Sequence, residues 1–290
     1  MTVGIVEALQ SLQGNIFEAF FNLISFLGEE YVIIVILGTV YWTIDKKLGE
    51  IMAISLGVSS VSNNIIKELV GADRPFKKYP DRVENLRPGT ATGNSFPSGH
   101  TQNFSAFLSS AAIKLRSKKL KYLVFALVIL MMLSRMYLGV HFLEDVLVAA
   151  VLGLLIAYGI NYIHNKYSSN QVLLHRIYLS FIIVSTPFVL FLQDEDFFKS
   201  YGLLVGIVFA IIFEKKYVKF TFDPSKLKKI IRLSLGLIIV LTIQIGLKAI
   251  FSIFLEEGTM AFNYANVVRY FAISFIGFGV YPMSFKKLNI

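Results

Sequence analysis

The sequence predicts an all-α protein, a polytopic transmembrane helical bundle of about nine spans, with a tenth available as a short one. Three observations predict it. Of 290 residues, 55% are hydrophobic and only 16% are charged, whereas ordinary soluble domains carry about a quarter charged residues. Apolar stretches of the ~20-residue length that a spanning helix needs recur near 30–45, 48–70, 99–116, 120–138, 142–163, 172–192, 199–214, 229–254 and 262–284. Basic residues collect in alternate loops between them, as the positive-inside rule requires.

Along the chain, residues 3–12 read as a short amphipathic helix lying at an interface. Residues 15–27 (NIFEAFFNLISFL) read as interfacial rather than as the tenth span. The opening MTVGIVEALQSLQGN has neither a basic leader nor a small-residue cleavage site, so no removable signal peptide is expected. The basic clusters are Lys46/Lys47, the group from Lys114 to Lys121, Lys166, the tract Lys215 to Lys229, and Lys286/Lys287. Alternate loops hold Glu29/Glu30, Asp194 to Asp196 and Glu256/Glu257. Nine spans put every basic cluster on one, cytoplasmic side and leave 28–30, 71–98, 139–141, 193–198 and 255–261 on the other. The net charge of +9 is thereby explained by topology, and no nucleic-acid partner is expected. With no cysteine, thiolate ligands, disulfides and cysteine nucleophiles are excluded. Three regions are predicted: 1–28 as N-terminal interfacial or short membrane helices, 29–166 as a catalytic core, and 167–290 as a C-terminal transmembrane extension.

Three polar clusters exceed what topology needs. Lys67 and Arg74-Pro75 lie seven residues apart, about two helical turns, so both cations share a face if the helix persists. Arginine offers a planar fork to an anion and lysine a mobile point charge. Ser95-Phe96-Pro97-Ser98-Gly99-His100 directly precedes an apolar helix. Pro97 suits a first turn, Gly99 lets backbone approach a ligand, and the helix N-terminus favours an anion. In the third cluster, Ser134-Arg135 precedes His141 and Asp145. The last two are four apart, so the carboxylate can hold one ring nitrogen and leave the other to attack. These residues fall at the ends of different helices on the same, non-cytoplasmic side. They supply cations, a nucleophile and an acid, as phosphoryl transfer requires. Two histidines without a carboxylate-rich metal site point to metal-free chemistry through a phosphohistidine.

The three motifs K-x6-R-P, P-S-G-H and S-R-x5-H-x3-D, spanning Lys67 to Asp145, resemble the complete signature of the type 2 phosphatidic acid phosphatase superfamily, whose active site is shared with the vanadium haloperoxidases. The resemblance covers about residues 30–165. It implies a six-helix-type phosphatase core with about four further C-terminal helices. It implies His141 as nucleophile, Asp145 as its orienting partner and His100 as the acid for the leaving oxygen, with Lys67, Arg74, Ser98, Gly99 and Arg135 holding phosphate. No metal or cofactor is implied. Tyr41-Trp42, Asp45 and the helices after residue 170 are similar in layout to the glucose-6-phosphatase and sphingosine-1-phosphate phosphatase branches.

The expected function is hydrolysis of lipid phosphate monoesters or pyrophosphates: phosphatidate, phosphatidylglycerol phosphate, a polyprenyl pyrophosphate or a sphingoid-base phosphate. The expected setting is the plasma membrane of a bacterium, with the bilayer and the lipid phosphate as partners. Oligomeric state, a homo-oligomer included, stays open. Soluble sugar phosphates as substrates, or transfer of the phosphoryl group to a lipid acceptor, use the same residues. A transporter-like reading would rest on Asn63, Asn64, Gln244 and Lys248 near mid-membrane. Nine spans argue against a haloperoxidase. His164 and His175 are expected to be ordinary interface histidines on the cytoplasmic side, and Lys77, Lys78, Arg82 and Arg87 solvated loop charges rather than headgroup contacts, while Asn94 and Thr101 adjoin the second motif as candidate pocket residues.

Overall fold

The computed structural model describes residues 2–12, 14–91, 93–221 and 225–290, and every regular element among them is helical. In chain order these are α1 (Thr2–Gln10), α2 (Asn15–Phe26), α3 (Glu30–Thr39), α4 (Lys46–Val70), the single turn α5 (Pro75–Lys78), α6 (Gly99–Lys114), α7 (Lys118–Tyr137), α8 (Leu143–Tyr167), α9 (Gln171–Ser185), α10 (Glu195–Phe213), α11 (Lys226–Phe254), α12 (Met260–Phe275) and the short α13 (Met283–Lys287). Several start where the sequence offers a capping oxygen. Ser117, Asn170, Asp194 and Thr259 each accept from the backbone N–H three residues on, satisfying a donor the first turn leaves open. α3, α10 and α12 each run into a π-helical turn, at Val40–Ile44, Glu214–Val218 and Ile276–Val280.

Among the described residues, six helices are long and apolar enough to cross a membrane: α7, α8, α9 with its 3-10 extension, α10 with its π-helical continuation, α11 and α12 with its continuation. α2 and α3 pass the same test together as a pair bent by 50°, making up to seven. α2, which covers most of residues 15–27, is one arm of that bent pair. α4 and α6 fail the test. α4 carries Lys46, Lys47, Glu50, Lys67 and Glu68, and α6 is 16 residues long with His100, Gln102 and Asn103 in its first turns.

The chain divides into two compact units: Met1–Ile33 with Ser62–Asn161, and Ile34–Val61 with Tyr162–Ile290. In the first unit, α1 packs Val3 and Val6 against Val83, Met136, Phe142 and Val146. Gln10 Nε2 donates to the carbonyls of Glu84 (2.8 Å) and Tyr137 (3.1 Å). The helix expected to lie at an interface is therefore docked, because its two valines find apolar partners in the chain itself. A second cluster joins Phe104 and Ala112 of α6 to Val124, Val128 and Met131 of α7.

In the second unit the lone tryptophan, Trp42, is 2% exposed and donates from Nε1 to Gly277 O at 3.0 Å. A Cβ on Gly236 would meet its ring at 2.5 Å, so the indole fits only against bare backbone. Lys46 Nζ lies 2.9 Å from the fully buried Glu214, and Lys215 Nζ 2.8 Å from the fully buried Glu50. α10 and α12 pack at close range through Gly202 and Gly206, small residues spaced as membrane helix interfaces favour. A Cβ on Gly202 would come within 2.4 Å of Val267 O. Gly202→Ala is therefore expected to separate the helices and lower stability by about 1–3 kcal/mol. Unfolding in detergent would show this against Gly159→Ala, where the added carbon meets nothing within 4 Å.

Three of the residues named for a transporter have partners within their own unit. Asn63 bonds Pro97 O and Gln102 in the first unit. In the second, Gln244 Nε2 donates to Tyr270 OH at 3.2 Å, and Lys248 reaches outward along α11 to Glu257 at 3.2 Å. His164 is not an ordinary interface histidine, since it is buried with Nδ1 3.2 Å from Tyr178 OH.

Candidate active site

The eight residues predicted for the site all belong to the first unit, and five of them are buried: Arg74, Ser98, Arg135, His141 and Asp145.

α4 ends at Val70, with Gly71 at φ +63°, a left-handed conformation that suits glycine at a helix end. Arg74 is extended (φ −75°, ψ 156°) ahead of Pro75, because proline disfavours helix in the residue before it. The helix does not persist, so Lys67 and Arg74 do not share a helix face. The turn instead folds Arg74 inward. Its Nε donates to Gly93 O (3.1 Å) and its Nη1 to Val140 O (3.1 Å), and Nη1 stands 3.3 Å from His141 Nε2.

Ser98 caps α6, accepting from Thr101 N, and its own N–H donates to Asp145 O at 3.1 Å. That bond joins the second motif to the third. A Cβ on Gly99 would meet Asn63 Oδ1 at 3.2 Å and Lys67 Nζ at 3.6 Å, so the glycine keeps backbone close to the lysine. Asn94 Nδ2 donates to Lys67 O at 3.2 Å.

His141 sits in the turn between α7 and α8 and is 2% exposed. Its Nδ1 lies 3.5 Å from Asp145 Oδ2 and 3.4 Å from Ser95 Oγ. The same Oδ2 accepts from Ser95 Oγ (2.5 Å) and Phe142 N (2.8 Å). A proton on Nδ1 facing the carboxylate leaves Nε2 with its lone pair toward Arg74. Burial, and then the positive charges of Arg74, Arg135, Lys67 and His100, hold the ring well below the ordinary histidine range, so it is neutral at neutral pH.

Arg135, 1% exposed, donates from Nη1 to Ser25 Oγ, and its Nε is buried with no partner among the described residues. Ser134 Oγ donates to Phe21 O at 2.7 Å. α2 thus braces the third motif, a role its sequence does not advertise. Arg87 is no solvated loop charge, since it pairs with Glu29 at 2.7 Å. Arg82 likewise pairs with Glu7 at 2.5 Å. Sequence reasoning named Ser95 without a role and passed over Ser25 altogether. Only the long-range contact identifies Ser25, whereas Glu29 had one signal, an acid beside an apolar helix.

Residues 48–169 match the family described as the PAP2 superfamily, and residues 198–290 match the family described as the PAP2 superfamily phosphatase, transmembrane extension. The chain belongs to the PAP2 superfamily. The first PAP2 match covers all three motifs, and the second covers most of α10 and all of α11, α12 and α13. Over 166 residues, 53% of its length, the chain is 26% identical to lipid phosphate phosphatase delta of Arabidopsis thaliana, of which this spans 40%. Over 122 residues, 37% of its length, it is 31% identical to phosphatidylglycerophosphatase B of Bacillus subtilis (strain 168), of which this spans 54%. The chain thus matches about half of these curated relatives' own length. Its fold is similar to the crystal structure of Aquifex aeolicus LpxE, with a TM-score of 0.50 and 22% identity over 55% of this chain and 93% of that one. The apolar helices and the family's transmembrane extension make this PAP2 chain an integral membrane protein.

Proposed function

We propose that this chain is a metal-independent membrane phosphatase that hydrolyses lipid phosphate monoesters or pyrophosphates through a phosphohistidine on His141. The observation that carries the reading is the convergence on one buried imidazole: Asp145 on its Nδ1 side and Arg74 at its Nε2. Nε2 attacks phosphorus, a P–N bond forms, and the P–O bond to the leaving group breaks as His100 supplies a proton. Asp145 offsets the charge that develops on the ring. Water then attacks phosphorus, its proton passes to His100, and the P–N bond breaks to release phosphate. Lys67, Arg74 and Arg135 neutralise the equatorial oxygens, with Ser98, Gly99 and the first turn of α6 supplying further donors.

The lipid substrate is supported by the apolar setting and by relatives named for lipid phosphates. The count of about nine spans is also our reading. It adds α4 and α6 to the seven apolar candidates, since the polar Ser55, Ser59, Asn63, Gln102, Ser105 and Ser109 of these helices are buried, away from lipid. That count puts the site on the non-cytoplasmic face of a bacterial plasma membrane by the positive-inside rule. The division 1–28, 29–166 and 167–290 likewise stands as a proposal, with the last part an appended membrane domain. The test is phosphate release by the purified chain from detergent-dispersed phosphatidate, phosphatidylglycerol phosphate and a soluble sugar phosphate, with and without chelator. Release from the lipids alone, unchanged by chelator, is expected. Loss with chelator would sink metal independence, and a preference for the sugar phosphate would sink the lipid assignment.

A further inference from the structure

Glu29 lies in the joint between α2 and α3, outside the three motifs and outside the residues matched to the PAP2 core. Its Oε1 is shared, standing 2.7 Å from Arg87 Nη2 and 3.4 Å from His100 Nε2. Arg87 is itself tied to α2, donating from Nη1 to Asn22 Oδ1 (3.0 Å) and Asn22 O (3.3 Å). The joint also presses on the imidazole directly, since a Cβ on Gly28 would meet His100 Cδ2 at 3.3 Å. Each histidine of the site therefore has a carboxylate beside it, Asp145 for His141 and Glu29 for His100.

We propose that Glu29 is a positioning residue for His100, holding its Nε2 so that Nδ1 is the nitrogen presented to the leaving oxygen. The proposal rests on the phosphatase reading above. An ionised carboxylate only accepts hydrogen bonds, so Nε2 must carry a proton where the two meet. The proton His100 gives up is then the one on Nδ1, and the bare Nδ1 is ready to take a proton from water in the second half of the reaction. The charge matters as much as the geometry. His100 is faced by Lys67 of α4, Arg135 of α7 and His141 of the α7–α8 turn, with Glu29 and Arg87 on its other side. Glu29 is the one acid among these groups, and it favours the imidazolium that the surrounding cations oppose. The carboxylate is held below its usual range by the hydrogen bond from His100 and then by the charges of His100 and Arg87, against a burial that raises it. It is ionised at neutral pH.

The experiment compares wild type, Glu29→Gln, Glu29→Asp, His100→Gln and the Glu29→Gln/His100→Gln double variant. Two lipid phosphates serve as substrates, one with an alkyl and one with a nitrophenyl leaving group, the second departing with little help from an acid. We expect Glu29→Gln to lower kcat/KM for the alkyl ester by about 10–100-fold, the usual cost of losing a partner that orients a working histidine. The loss on the nitrophenyl ester should be at least about tenfold smaller. The alkaline limb of the alkyl-ester pH profile should move to lower pH, because the imidazolium has lost its counter-charge. The double variant should match His100→Gln alone. Equal losses on both esters, an unmoved alkaline limb, or additive losses in the double variant would make Glu29 a structural tie and overturn the proposal. If Glu29→Gln does not fold, Glu29→Asp, one methylene shorter, reads the same split between the two esters. Failure of the phosphatase reading looks different: wild type releases nothing from either ester, or His141→Ala keeps activity on both.

Discussion

His141→Ala is expected to reduce phosphate release from a lipid phosphate by at least about 10³-fold, with the remainder coming from binding and charge alone. Among the described residues, His141 is the nucleophile candidate placed against Arg74. His141 Nε2 lies 3.3 Å from Arg74 Nη1, and serine hydroxyls at the site are already engaged, Ser98 Oγ by Thr101 and Ser95 Oγ by Asp145. The measurement is kcat in detergent, alongside thermal unfolding to exclude a folding defect and His141→Gln to keep the volume. A phosphoenzyme trapped at alkaline quench in wild type should be absent from both variants. Activity within tenfold of wild type would remove His141 as nucleophile. The pH profile carries the same expectation. The ring's proton affinity is lowered by burial and by Arg74, so kcat/KM, which reports the unliganded enzyme, should not fall on the acid side until well below the ordinary value of about 6.5. The sign for stability follows from the same shift. The unfolded chain binds this proton more readily, so the contribution of His141 is present above the unfolded value and is lost as pH falls toward the folded one.

Asp145→Asn should cost about 10²–10⁴-fold in kcat with a smaller change in KM, as expected when a histidine loses the carboxylate that sets its tautomer. The amide oxygen can still accept from Phe142 N and Ser95 Oγ, which reach Asp145 Oδ2 at 2.8 and 2.5 Å, so the turn should hold. The same oxygen position faces His141 Nδ1, so the ring keeps an acceptor while the charge that balances a phosphorylated imidazole is gone. Asp145→Ala separates the two contributions. It removes the acceptor for a buried backbone N–H at about 1–3 kcal/mol and should lower stability as well as rate. A kcat unchanged in Asp145→Asn would leave Asp145 a structural residue of the α8 start.

The motifs were legible because they are local. Four residues between His141 and Asp145, or a serine and glycine opening an apolar run, state their geometry through helix periodicity and capping. The Lys67 to Arg74 pair was misread in shape for a related reason. Period alone extends a helix until something ends it, and Gly71 in the left-handed region together with Pro75 ended α4 at Val70. Arg74 then reached His141 through a turn, by hydrogen bonds to Gly93 and Val140 that no spacing rule contains. α1 and α2 were set apart as interfacial because both segments are short. What recruits them is complementarity elsewhere, with Val3 and Val6 against Met136 and Phe142, and Ser25 against Arg135.

By itself, the sequence determined that this is an all-helical membrane protein with a PAP2-type set of polar residues, since apolar run length, charge placement and motif order are properties of the chain as written. The tertiary structure decided which nitrogen of each histidine meets a carboxylate, that Ser95 and Phe142 support Asp145, and that Glu29 and Arg87, distant in the chain, meet beside His100. The physical reason is range. Helix period and capping act over three or four residues, whereas the orientation of an imidazole depends on buried partners tens of residues away, which only the packed fold brings within hydrogen-bonding distance.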